Sequence, residues 1–206
     1  MNSQRLAVID LGSNTFHLLI CEAGPDGRIL VIYKERIYVK LASAGLGYID
    51  AESEARGVEA MRRFAEQIQA YDVTRTRCIG TSALREASNG LEVARHFTEV
   101  SGLPIEIIDG QQEAVFIYKG IRAALPPLDQ PVLIMDIGGG SVQFILYKTG
   151  HISLKESYKI GVAVLYRRFH HTDPISHESL VELESFVGEN LKDLIQQMHA
   201  VPSYYL

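Results

Sequence analysis

The sequence predicts a duplicated α/β protein with mixed sheets, and three observations carry that reading. Leu133-Ile134-Met135-Asp136-Ile137-Gly138-Gly139-Gly140-Ser141-Val142-Gln143-Phe144-Ile145-Leu146 is an apolar strand that reaches an Asp, breaks at three glycines and resumes as a second strand. Ala7-Val8-Ile9-Asp10-Leu11-Gly12-Ser13-Asn14-Thr15-Phe16-His17-Leu18-Leu19-Ile20 repeats it position by position, with Asp10 on Asp136, Gly12 on Gly138 and Thr15 on Ser141. Further strand and helix patterns follow each stretch in the same order, so one duplicated unit explains the chain better than two unrelated hairpins.

In the first copy, strands over about 5–10, 15–22 and 28–39 run antiparallel, with Gly24-Pro25-Asp26-Gly27 as the second turn. Asp50 can cap a helix reaching about Tyr71, with Val58, Met61, Ala65 and Ile68 on one face. Arg77 to Gly80 reads as a buried strand, and its Gly80-Thr81-Ser82 turn lies at the sheet edge of the Asp loops. A helix over about 90–101 stops at Gly102, a residue suited to the left-handed cap, and Ile105 to Ile108 forms another strand. Asp109-Gly110-Gln111-Gln112-Glu113-Ala114 then opens a helix carrying Ile117, Tyr118 and Ile121. Three antiparallel strands followed by strand, helix, strand and helix make a mixed sheet. Ligands gather at the carboxyl ends of its strands, where Asp10, Gly80-Thr81 and Asp109-Gly110 fall.

The second copy repeats the order, with strands over about 132–137, 142–148 and 151–158 and Thr149-Gly150 as a turn. A short helix over about 162–169 follows, then a longer one over about 176–199 with Leu180, Leu183, Val187, Leu191, Leu194 and Met198 on one face. Pro126, Pro127 and Pro131 place the boundary, giving domains over 1–124 and 125–206.

At 206 residues, 47% of them hydrophobic and 22% charged, the chain can bury an ordinary core. A net charge of -5 argues against a nonspecific DNA binder, which needs a broad basic surface, yet leaves room for a polyanion held by a local patch. No apolar run approaches the roughly 18 residues that a membrane span needs, and no signal peptide opens the chain, so the expected location is cytoplasmic. Cys21 and Cys78 lie in apolar runs, which suits buried thiols rather than a disulfide or metal site.

The chemistry is concentrated in the two loops. Glycine lets backbone N–H groups close around a phosphate, and an Asp at the strand end can hold a metal ion directly or through water. His17 is offset from its Asp and reads as a packed histidine rather than a ligand. His170, His171 and His177 flank a polar turn. Arg62-Arg63 and Arg167-Arg168 have the charge to steer a polyanion, although paired helix charges ordinarily face water.

Four motifs in order, Asp10-Leu-Gly-Ser-Asn-Thr-Phe-His17, Gly80-Thr-Ser-Ala-Leu-Arg-Glu-Ala-Ser-Asn-Gly90, Ile107-Ile-Asp-Gly-Gln-Gln-Glu-Ala114 and Asp136-Ile-Gly-Gly-Gly-Ser141, closely resemble the exopolyphosphatase/guanosine pentaphosphate phosphohydrolase family, Ppx/GppA, over nearly the whole chain. The resemblance implies an actin-like (ribonuclease H-like) fold of two related domains. It implies removal of terminal phosphate from inorganic polyphosphate or guanosine pentaphosphate, with Mg²⁺ in an interdomain cleft. It also implies a possible homodimer, with no DNA or membrane partner.

Carried over by the resemblance, Asp10 and Asp136 position the metal, and Gly12, Ser13, Asn14, Thr15, Gly138, Gly139, Gly140 and Ser141 hold phosphate oxygens. Glu113 is the base for the attacking water, Asp136 shares the catalytic centre, and Arg85 is the cation. A plain ion pair of Arg85 with Glu86 or Glu92 is the alternative. Two positions depart from the family pattern: Gln143 stands where a Glu is usual, and Gln112 where many members pair a second carboxylate with Glu113. An amide is neither a base nor an anionic metal partner, so the departures imply slow turnover or binding without turnover. Two other functions are therefore carried beside hydrolysis: a sensor that holds polyphosphate or an alarmone, and an ATP-using kinase of the same superfold.

The strand at Arg77 begins 67 residues after Asp10, and the same interval from Asp136 reaches Ser203, three residues before Leu206. The second domain is therefore expected to be incomplete, the fragment belonging to a chain of roughly 300 residues, with an apolar sheet edge and part of the 176–199 helix left uncovered.

Overall fold

Strand alternation organises the first sheet. In a computed structural model that describes residues 4–24, 28–125, 130–148, 151–199 and 201, Ala7, Ile9 and Leu11 point into a core while Val8 and Asp10 stand on the open face between them. The turns expected at Pro25-Asp26-Gly27 and Thr149-Gly150, the Pro126-Pro127 pair and Ser203 lie outside the described residues. The chain divides into two compact units, Met1–Ile108 and Asp109–Leu206.

In the first unit, β1 (Arg5–Leu11), β2 (Phe16–Ala23), β3 (Ile29–Ile37), β4 (Arg75–Gly80) and β5 (Ile105–Ile107) form a sheet of order β3-β2-β1-β4-β5. β1 pairs antiparallel with β2 and parallel with β4, as does β4 with β5, so the sheet is mixed. Its buried face receives α1 (Ala51–Ala70) and α3 (Gly90–Ser101). Phe97 meets Phe16 edge to face at 6.0 Å, and it fits because residue 57 is glycine: a Cβ there would lie 2.3 Å from the Phe97 Cζ. The buried stripe of α1 runs through Gly57, Val58, Met61 and Phe64, while the expected Ala65 and Ile68 are only half-buried. Asp50 caps α1 by accepting the Ser53 N–H at 2.7 Å, and Gly102 ends α3 at φ 70°. A five-residue helix, α2 (Ser82–Glu86), follows β4 where only a turn was expected.

In the second unit, β6 (Val132–Ile137), β7 (Val142–Lys148) and β8 (His151–Tyr158) pair antiparallel in the order β6-β7-β8, so no parallel pair occurs among its described strands. One face packs Ile134 and Ile145 against Ala114, Ile117, Tyr118 and Ile121 of α4 (Gly110–Ala124). The other packs Leu133, Phe144 and Leu146 with Leu165 of α5 (Val162–Phe169) and with Phe186, Leu194 and Met198 of α6 (His177–His199). The division therefore falls between Ile108 and Asp109 rather than at the prolines, because the apolar face of α4 is spent on the second sheet. Leu180 lies at 39% exposure and Val181 at 52%, so the start of α6 leaves apolar surface open. No helix among the described residues is long and apolar enough to cross a membrane.

The duplication extends to irregularities. β2 slips register between Ile20 and Cys21 and β7 between Leu146 and Tyr147, at equal distances from Thr15 and Ser141.

Candidate functional site

Each Asp strand turns back through a loop of the same geometry. The Gly12 N–H donates to the Thr15 carbonyl at 3.1 Å, and the Gly138 N–H donates to the Ser141 carbonyl at 2.9 Å. A Cβ on Gly12 would lie 2.8 Å from the Thr15 oxygen, too close for a side chain, and one on Gly138 3.0 Å from the Ser141 oxygen, a tight contact that the loop would have to yield to by a few tenths of an ångström.

The loop carbonyls are held from behind. In the second unit those of Gly138, Gly139 and Gly140 accept from Val162, Ala163 and Gly161 at 3.0, 2.8 and 3.3 Å, at the start of α5. In the first, those of Ser13 and Asn14 accept from Ala42 and Lys40 at 3.1 and 2.8 Å. In a trans peptide the N–H points opposite to the preceding C=O. The N–H groups of Gly139, Gly140 and Ser141 therefore turn away from α5, and those of Asn14 and Thr15 turn away from the 40–42 segment. A run of N–H groups aimed outward from a loop is an anion cradle.

Asp136 stands opposite Gln143 in the β6–β7 register and Asp10 opposite His17 in the β1–β2 register. Asp136 keeps an accessible face, yet desolvation by the protein around it holds its carboxyl above the ordinary value. Glu113 lies in the first turn of α4, beside the buried Ala114 that packs on Ile134 and Ile145. Those isoleucines are two positions from Asp136 and Gln143, so α4, Asp136 and Gln143 share one sheet face. The α4 start is seated firmly. A Cβ on Gly110 would lie 2.8 Å from that of Ser157, the residue opposite Gln143 on β8, and Gln111 Nε2 donates to the Lys155 carbonyl at 3.3 Å. Gln112 closes a capping box: its N–H donates to Asp109 at 2.7 Å and its Oε1 accepts the Asp109 N–H at 3.2 Å.

The sequence profile of the Ppx/GppA phosphatase family matches residues 21–201. The chain belongs to that family. A putative exopolyphosphatase of Haemophilus influenzae is 33% identical over 196 residues, which are 94% of this chain and 60% of that protein. An exopolyphosphatase from Cytophaga hutchinsonii superposes with a TM-score of 0.92 at 33% identity, over 98% of this chain and 65% of the other. A Ppx/GppA family member from Aquifex aeolicus gives 0.74 at 25% identity, over 93% and 62%. The fold is the actin-like one with duplicated α/β domains, and the chain spans about 60% of the length of the H. influenzae relative.

Against the family's motifs, the Gly80-Thr81-Ser82 stretch joins the first loop: Thr81 N–H and Oγ1 both donate to the Leu11 carbonyl at 3.3 Å, and Leu11, Gly80 and Ile107 lie side by side at the ends of β1, β4 and β5. Arg85 follows, with Nη1 donating to the Ile108 carbonyl at 2.8 Å and Nε 3.3 Å from Glu86. Its partners bind the end of β5 to α2. Three buried polar atoms have no partner among the described residues: Ser13 Oγ, Ser82 Oγ and Gln143 Oε1. Each such atom costs about 1–3 kcal/mol unless something satisfies it; Ser13 and Ser82 belong to the motifs and Gln143 lies two residues beyond the last of them. Ser82 had no signal in the sequence beyond its place after Gly80-Thr81.

Several other titratable residues have plain roles. His17 bonds Thr15 Oγ1 through Nε2 at 2.8 Å and is held below the usual imidazole range by burial, with Arg36 and Lys34 adding to it. It braces the first loop as a neutral ring. Cys78 is a buried free thiol pushed up to about 12 by burial, with Asp10 adding, and burial also raises Cys21. Arg63 pairs with Glu35 at 2.6 Å, Arg168 stacks on Phe186 at 4.0 Å and His170 stacks on Tyr166 at 4.5 Å. A shallow groove along α1, lined among others by Glu54, Val58, Arg62, Glu66 and His96, mixes both charges and contains no loop glycine, so it is not where the motifs converge.

Proposed function

We propose that this chain hydrolyses terminal phosphoanhydride bonds, with inorganic polyphosphate as first substrate and guanosine pentaphosphate as second. The reading is supported above all by the gathering of Glu113, Asp136 and the Gly138–Ser141 cradle in one unit, on a chain of the Ppx/GppA family. Phosphoryl transfer asks mostly for positioning and charge neutralisation, so a cradle and one well-placed base suffice.

In this reading the outward N–H groups take the oxygens of the terminal phosphate and fix its direction. Glu113, held at the start of α4 where the helix dipole favours a carboxylate, accepts the proton of the water that attacks phosphorus as the bridging P–O bond breaks. The electron pair of that bond leaves on the shortened chain. The carboxylates that would hold Mg²⁺ are Asp136 and, in the first unit, Asp10. Carboxylate oxygens are the hard ligands that such an ion would take, beside waters and substrate oxygens. When bound, such an ion supplies neutralisation of phosphate charge.

The neutral Gln143 beside Asp136 favours a second reading, retention of polyphosphate or an alarmone without turnover. Phosphate release from long-chain polyphosphate with and without Mg²⁺, run beside ATP consumption and the mass of bound ligand, separates the readings. Mg²⁺-dependent release supports hydrolysis, a bound ligand without release supports retention, and ATP consumption without polyphosphate breakdown supports a kinase.

A further inference from the structure

Gln143 is 1% exposed and its Nε2 donates to the hydroxyl of Ser141 at 2.8 Å, while its Oε1 is buried without a partner among the described residues. As an NH₂ group has two donors, one N–H of Gln143 is spent on Ser141, while its second N–H and Oε1 have no partner among the described residues. An amide donor on Ser141 Oγ occupies a lone pair, so the hydroxyl's own proton must go elsewhere. Ser141 closes the loop whose N–H groups face outward, which makes a bound anion the nearest chemistry that would take that proton.

We propose that Gln143 is a positioning residue that makes the Ser141 hydroxyl a hydrogen-bond donor to a phosphate oxygen on the Gly138–Ser141 loop, and so sets this loop to hold phosphate in the absence of metal. The inference rests on the reading of the loop as a phosphate cradle, but not on hydrolysis. A carboxylate at position 143 would do the opposite: it can only accept, would draw the Ser141 proton to itself, and would turn a lone pair toward the ligand. The residue thus decides whether Ser141 attracts or repels an anion.

The test is a double-mutant cycle on the 206-residue chain, using inorganic tripolyphosphate and calorimetry in excess EDTA, where no metal-dependent turnover occurs. Ser141→Ala alone should raise Kd about tenfold, the expected worth of a hydrogen bond to a charged group. Gln143→Glu should raise it by about as much or more, and in that background Ser141→Ala should add less than about twofold, because the hydroxyl no longer donates. Gln143→Met, close in shape but without donor or acceptor, leaves the hydroxyl free to turn. It should keep Kd within about threefold of wild type, with Ser141→Ala still costly in its background. Equal Ser141→Ala penalties in the wild-type and Gln143→Glu backgrounds would overturn the proposal. So would a Gln143→Met loss as large as that of Gln143→Glu, or a wild-type chain that binds no tripolyphosphate. Phosphate release with Mg²⁺ is assayed separately: its absence contradicts the hydrolytic reading and leaves this cycle intact.

Discussion

Gly161 approaches the second loop so closely that a Cβ on it would lie 2.5 Å from the Gly139 carbonyl carbon and oxygen and 2.5 Å from the Gly140 carbonyl carbon. These contacts are with backbone, so no side chain can swing aside. Gly161→Ala should therefore push the start of α5 off the loop, costing about 1–3 kcal/mol of stability and weakening tripolyphosphate binding. Gly188→Ala in α6, with nothing within 4 Å of the added Cβ, should instead stabilise by about 0.5–1 kcal/mol. Chemical denaturation of both variants checks the pair, and similar effects from the two substitutions would refute the close-approach argument.

Lys40 supports the first loop from a left-handed backbone, with φ 54°, while its N–H donates to the Asn14 carbonyl. A side chain in that region costs about 1–2 kcal/mol that glycine does not. Lys40→Gly should raise the thermal midpoint and Lys40→Ala should not. A drop for Lys40→Gly would mean that the lysine side chain contributes more than its backbone strain.

Asp50 is held below its ordinary value of 3.8, first by the Ser53 N–H it accepts as the cap of α1. A depressed carboxyl stabilises the fold above the unfolded value and loses that contribution as pH falls through the folded one. Asp50→Ala should cost about 1 kcal/mol at neutral pH. The gap from wild type should narrow below pH 3.8, and a pH-independent gap in denaturant titrations would contradict the cap.

Much of this was legible in the residues. The Asp-Gly loops, the eight strands, the helix start at Asp50 and the helix stop at Gly102 follow from alternation, glycine and capping chemistry, all local signals. The boundary was not, because Ile117, Tyr118 and Ile121 announce an apolar face of α4 without saying which sheet it covers, and the prolines beyond it are only a break in the chain. α2 has five residues, too few to show a helical period. The rear supports at Lys40, Ala42, Gly161 and Ala163 are backbone hydrogen bonds, which no motif records. Gln143 was visible as a departure from a family pattern, but nothing in that pattern recorded its bond to Ser141 two residues before it.

If a second carboxylate beside Asp136 limits metal use, Gln143→Glu should raise Mg²⁺-dependent phosphate release even as it weakens metal-free binding. Titrating Mg²⁺ against rate checks this. A flat or lower rate in a folded variant shows that a carboxylate at this position adds nothing here.

The base assignment is tested most directly by phosphate release from long-chain polyphosphate in saturating Mg²⁺, measured for wild type and Glu113→Gln beside tripolyphosphate affinity. The amide keeps the shape of the side chain and cannot take the water's proton, so the rate should fall by at least about a hundredfold while Kd stays within about threefold. Equal rates in the two proteins, or no release by wild type, would contradict the account.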